Sequence, residues 1–194
     1  MGSGFHDFAA AEVLTAANVD GYLMRQTVMT FADATARNSA LSGVLDEGMV
    51  TYQEDTNSVT YYTGAAWRTI YQPETAWTPS FTNLTVGNGV LAGNYSRSGD
   101  MVHASLILTW GTTTSIGGVV STNLPVTGST TTEAVGPAVW RDASATTSFI
   151  GQVIQSTGTV LGFHAHGAGQ VNATAPFTWA TSDAMRVSIS YTAA

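Results

Sequence analysis

The stretch Asp100-Met101-Val102-His103-Ala104-Ser105-Leu106-Ile107-Leu108-Thr109-Trp110 places Val102, Ala104, Leu106, Leu108 and Trp110 on one side of an extended chain. His103, Ser105 and Thr109 fall on the other. A period of two sustained over this length marks a strand with one buried face and one wet face. Met185, Val187, Ile189 and Tyr191 repeat the pattern opposite Arg186, Ser188 and Ser190. Further candidate strands lie near Phe81 to Val86, Val90 to Arg97, Ala134 to Arg141, Ser148 to Gln155 and Thr159 to His166, separated by Gly, Asn, Ser and Pro clusters. Short strands with one polar face each predict a mainly β protein, with an antiparallel, jelly-roll-like β-sandwich at its C-terminal end.

Upstream the periodicity changes. Thr15 is placed to cap a short helix through Leu23, which Gly21 weakens by about 1 kcal/mol relative to alanine, and Asp33 to cap a second over Ala34 to Leu41. Thr27 to Phe31 is β-branched and apolar. Val50 and Tyr52, then Val59 and Tyr61, alternate with polar neighbours around the turn residues Asp55 to Ser58. Thr63 to Ala66 turns again into Trp67, Thr69 and Tyr71, which completes a three-stranded meander. The reading therefore divides the chain into residues 1–72, a helical and meander segment for trimerisation and attachment, a linker at 73–77, and a β-sandwich tip at 78–194.

Composition excludes several classes of function. Charged residues make up 10% of the chain, against a usual quarter or so. There is no lysine, which removes P-loop and Schiff-base chemistry, and the six arginines are scattered along the chain rather than clustered as a nucleic-acid footprint requires. A net charge of −7 disfavours docking on anionic membranes, and no apolar run is long enough to span one. The absence of cysteine removes disulfides and thiolate metal sites. The start lacks a secretory leader pattern, so release by lysis is expected rather than secretion.

Few residues suggest chemistry. His164-Ala165-His166 would present two imidazoles to one side of a strand. Two ligands are too few for one chain, but at a three-fold axis six imidazoles would suit an octahedral transition metal. The flanking Gly162 and Gly167 to Gly169 equally suit an exposed loop, and no other cofactor is expected. Acidic pairs such as Asp46/Glu47 and Glu54/Asp55 fall in loops and turns, where solvation explains them better than glycoside hydrolysis does. Gly87-Asn88-Gly89 reads as a turn, because no helix pattern follows it. Among the tryptophans, Trp110 and Trp67 read as structural. Trp140, followed by Arg141 and Asp142, is the one expected to reach a rim and contact ligand.

Leu14 to Val19, Tyr22 to Gln26, Val28 to Ala32 and Ala36-Arg37 resemble the opening of minor tail and tail-fibre proteins of bacteriophages that infect actinobacteria. Glu47 to Val50, Tyr62-Thr63-Gly64 and Ala66-Trp67 continue the likeness. Trp77-Thr78-Pro79, Gly93-Asn94-Tyr95, Leu108 to Gly111, Leu124-Pro125 and Pro176 to Ala180 resemble fibre-tip domains. The resemblance implies a homotrimeric virion component, assembled in the host cytoplasm with other tail or virion proteins, whose outward sandwich attaches to host cell-wall glycan. It brings no catalytic residues, so the chain is expected not to be an enzyme. The rival expectations are a structural fibre or capsid decoration without ligand, and a short tailspike-like polysaccharide depolymerase.

Overall fold

Thr15 and Asp33 decide where the first helices begin. In the computed structural model, which describes residues 9–24, 27–131 and 133–194, Thr15 accepts a hydrogen bond from the Asn18 amide (3.1 Å). It opens α1 (Ala16–Asn18), which passes directly into a π-helical turn over Val19–Leu23. Asp33 accepts from the Ala36 amide (2.7 Å) and opens α2 (Ala34–Ala40). Each cap satisfies an amide that the first helical turn leaves without a partner.

The chain separates into two units, Met1–Pro73 and Glu74–Ala194. The first contains β1 (Val28–Phe31), β2 (Val50–Gln53), β3 (Ser58–Tyr62) and the start of β4 (Trp67–Ala76), hydrogen-bonded in that order. Strands β2, β3 and β4 form the expected meander. The addition of β1 parallel to β2, with Val28 opposite Val50, was not legible from period alone, and α2 lies in the crossover that a parallel pair requires. Where a linker was expected at 73–77, β4 continues to Ala76. Proline removes a donor but keeps its backbone extended, so it does not end a strand by itself.

The interior of the first unit combines the buried Leu41 and Met49 with a polar cluster. Thr51, Gln53, Ser58 and Thr60 are buried together with Arg37. The Arg37 Nη1 donates to Gln53 Oε1 (3.3 Å) and Thr60 Oγ1 (3.1 Å), while Nε and Nη2 donate to Asn38 Oδ1 (3.2 and 3.1 Å). Its guanidinium carbon lies 4.1 Å from the centre of the Trp67 ring. Burial pushes the Arg37 pKa down, yet a guanidinium stays protonated in proteins, so the charge is held by a fork of acceptors and an aromatic face.

The second unit contains β5 (Phe81–Thr85), β6 (Val90–Ser98), β7 (Met101–Thr109), β8 (Ser115–Asn123), β9 (Val135–Asp142), β10 (Thr147–Gln155), β11 (Val160–Ala165), β12 (Gly169–Gln170) and β13 (Ala184–Thr192). Its strands pair antiparallel in the order β6-β7-β13-β9-β10-β11-β8-β5, with β12 added on β11. The protein is thus mainly β, and the expected layers are parts of one hydrogen-bonded path that turns its inward residues onto a shared core. Val102, Ala104, Leu106, Leu108 and Trp110 all point inward, as their alternation requires. The sequence reading missed β8, whose alternation Gly117-Gly118 interrupts, and the two-residue β12. Gly99 (φ 59°) occupies the left-handed position of the β6–β7 turn, where a side chain would be strained.

Tyr191 shows how this core responds to alkali. It is buried, donates from Oη to the Val126 carbonyl (2.8 Å) and accepts from the Val126 amide (3.2 Å). Burial pushes its pKa up to about 12, outweighing the Val126 amide that favours the phenolate. The unfolded chain's tyrosine ionises near 10, so the stability this group contributes is complete below pH 10 and is lost as pH rises towards 12. Comparing wild type with Tyr191→Phe by urea unfolding should show an extra alkaline loss of about 2–3 kcal/mol in wild type only. Identical slopes for the two proteins would remove Tyr191 as its source.

Candidate functional site

Inward alternation on five adjacent strands forces the intervening residues outward, and these line up in rows across the sheet. Ile107 on β7 is opposite Arg186 on β13, which is opposite Val139 on β9, which is opposite Ile150 on β10. The Ile150 carbonyl accepts from the His166 amide (3.0 Å) just beyond β11. In the neighbouring row Ser105 is opposite Ser188, Pro137 is opposite Gln152, and Gln152 is opposite His164, which pairs in turn with Gln170. Ile150 is 76% exposed, and Ile107 and Val139 are each 37% exposed.

Two depressions lie along these rows. One, of about 380 Å³, is lined by Ile150, Gly151, Gln152, His164, His166 and the glycine-rich turn after them. The other, of about 330 Å³, is lined largely by apolar atoms of Ile107, Pro137, Val139 and Val187 with Arg186 among them. Among the described residues the side chains of Arg186, Gln152, His164 and His166 have no hydrogen-bond or ion-pair partner, which leaves their donors and acceptors for another molecule.

Trp140 requires correction. Expected at a rim, it is fully buried, because β9 turns Ala138 and Trp140 inward while Val139 and Arg141 face out. Its ring meets Phe163 edge-on at 5.9 Å, and its Nε1 donates to the His164 carbonyl (3.2 Å). The indole passes beneath Gly151, a residue of the larger depression. A Cβ at Gly151 would collide with Trp140 Nε1 and the His164 carbonyl. Trp140 therefore supports this depression from inside the core and does not contact a ligand on its surface.

Arg141 is exposed and lies two residues along β9 from Val139, on the same outer face. Asp142 is instead taken up by the turn after β9. Its carboxylate accepts from Ser144 Oγ (2.7 Å) and the Ala145 amide (2.9 Å), and these bonds hold its pKa below the usual carboxylate range. The buried Asp183 is similarly occupied, accepting from the amides of Ala143 (2.9 Å) and Ala180 (2.6 Å).

His164 and His166 share one outer depression, as their i, i+2 spacing implies. Among the described residues no group of three or more His, Cys, Asp or Glu is placed to hold a metal. His103 Nδ1 lies 3.0 Å from Ser190 Oγ, an exposed cross-strand pair on the open sheet. The buried Trp110 stacks on Trp179 at 4.3 Å, and the tilted rings of Phe177 (4.5 Å from Trp179) and Phe149 (5.2 Å from Phe177) continue a partly buried aromatic run against the core. No helix of the described residues is long and apolar enough to cross a membrane. No protein-family model, curated protein or solved structure matches the chain.

Proposed function

We propose that this chain is an attachment module of a bacteriophage tail fibre or tail tip, which works as a homotrimer and holds host cell-wall glycan against the outer face of β7, β13, β9, β10 and β11. The observation that carries the reading is the pair of outer rows in which Arg186, Gln152, His164 and His166 have no side-chain partners among the described residues and border open depressions. Shallow, solvent-facing sites of this kind suit a polymer bound at many weak points. Three copies would raise the useful affinity through avidity. The resemblance of both halves of the sequence to tail-fibre proteins supports the same reading.

Binding fits better than cleavage. Hydrolysis of a glycoside uses two carboxylates facing each other across the bond, and the outer rows of this face hold none, while the nearby Asp142 and Asp183 bond backbone amides. The test is to measure the mass of the full chain by light scattering and its binding to a panel of actinobacterial wall polysaccharides. The size of each polysaccharide is followed over time. A trimer that binds saturably and leaves polymer length unchanged is the expected result. A monomer that binds none of them would overturn the attachment reading, and shortening of the polymer would favour a depolymerase.

A further inference from the structure

We infer that the glycan taken by this face is anionic, a linear chain carrying carboxylate or phosphodiester groups. The inference rests on the attachment reading and specifies its ligand class. The chain carries 13 acidic and 6 basic side chains. Even so, the two outer rows along β7, β13, β9, β10 and the end of β11 contain an arginine and two histidines and no carboxylate. Like charges elsewhere on the chain would repel a polyanion, and these rows carry none.

The band matches such a polymer in shape as well as in sign. Five strands at their usual spacing give it a length of about 19 Å, enough for several sugar residues. Arg186 emerges between Ile107 and Val139, and its guanidinium has no partner among the described residues. The aliphatic groups offer a surface for the C–H faces of a sugar ring, while a guanidinium beside them binds a carboxylate or phosphate through two parallel hydrogen bonds. Gln152 and Ser188 can bind hydroxyl groups, and Arg141 adds a second cation at the flank. The apolar stretch is aliphatic and has no exposed aromatic platform. The charged contact at Arg186 therefore has to supply much of the discrimination.

The experiment uses the full chain and four variants, with three probes at low and moderate salt. The probes are an oligouronate, the same oligouronate after reduction of its carboxyl groups, and poly(glycerol phosphate). Wild type should bind at least one of the two anionic probes, lose affinity as salt rises, and bind the reduced probe about tenfold more weakly or worse. Arg186→Gln should lower anionic binding about tenfold while leaving the unfolding transition in place. Arg141→Gln should lower it less. Arg68→Gln, a change in the first unit, should leave it unaltered.

Equal affinity for the anionic and reduced probes, or unchanged anionic binding in Arg186→Gln, would overturn the inference. If wall polysaccharide is still bound in either case, the attachment reading stands and only the ligand class is wrong. Loss of trimer mass in Ile150→Glu, combined with no binding of any probe by wild type, would assign the band to a second copy of the chain and would also overturn the inference.

Discussion

Replacing Trp140 by alanine is expected to destabilise the second unit by about 3–5 kcal/mol, the usual cost of deleting a buried indole. The side chain is 0% exposed, meets Phe163 edge-on, and donates to the His164 carbonyl across β10. Urea unfolding followed by circular dichroism should show a lower midpoint with little change in slope. Trp140→Phe should recover most of the loss, the remainder being the Nε1 hydrogen bond at about 1 kcal/mol plus a small void. Because the indole fills part of the space beside Gly151 and the His164 carbonyl another part, Gly151→Ala should be strongly destabilising in wild type and partly relieved in the Trp140→Ala background. Additive effects in that cycle would mean that the ring does not fill the space beneath the depression. Polysaccharide binding by Trp140→Phe at wild-type affinity is also expected, since the ring has no surface to offer a ligand.

Replacing Arg37 by alanine should cost the first unit about 2–4 kcal/mol. The change removes hydrogen bonds to Gln53, Thr60 and Asn38 and the cation over the Trp67 ring, and it leaves buried acceptors without donors. Arg37→Lys keeps the charge but loses the planar fork, so it should recover only part of the loss. Amide hydrogen exchange would localise the effect. Protection should fall across β2 and β3, while β7 and β13 keep theirs if the two units unfold separately. Unchanged protection in β2 and β3 would show that the polar interior does not depend on Arg37.

What the sequence revealed follows from how each element is specified. Strands β7 and β13 were readable because one face of each is apolar along its whole length, and the two helix caps were readable because the residue type itself supplies the hydrogen bond. Strand β8 was hidden by paired glycines, and β1 by a parallel partner that local period does not encode. Arg37 was missed because an arginine in a short helix normally faces water, and only the meander folding over it reveals its burial. The same limit explains the error at Trp140. A tryptophan followed by two charged residues looks exposed until strand phase is counted from Ala138, which puts Trp140 inside and Arg141 outside. The outer band was the least legible feature. Its members come from strands far apart in sequence, and only the pairing order of the sheet makes them neighbours.

That pairing order also governs when the second unit can form. Strand β13, the last in sequence, is hydrogen-bonded between β7 and β9 near the middle of the path. Until a ribosome has released residues through Thr192, the hairpin of β6 and β7 and the hairpins of β9, β10 and β11 have no shared strand to join them. The sheet therefore closes only after β13 has been synthesised, through contacts distant in sequence, a kind of pairing that generally slows folding. A nascent or shortened chain ending before Ala184 would present unpaired edges on β7 and β9 in addition to those at the margins, and exposed edges of that kind promote aggregation.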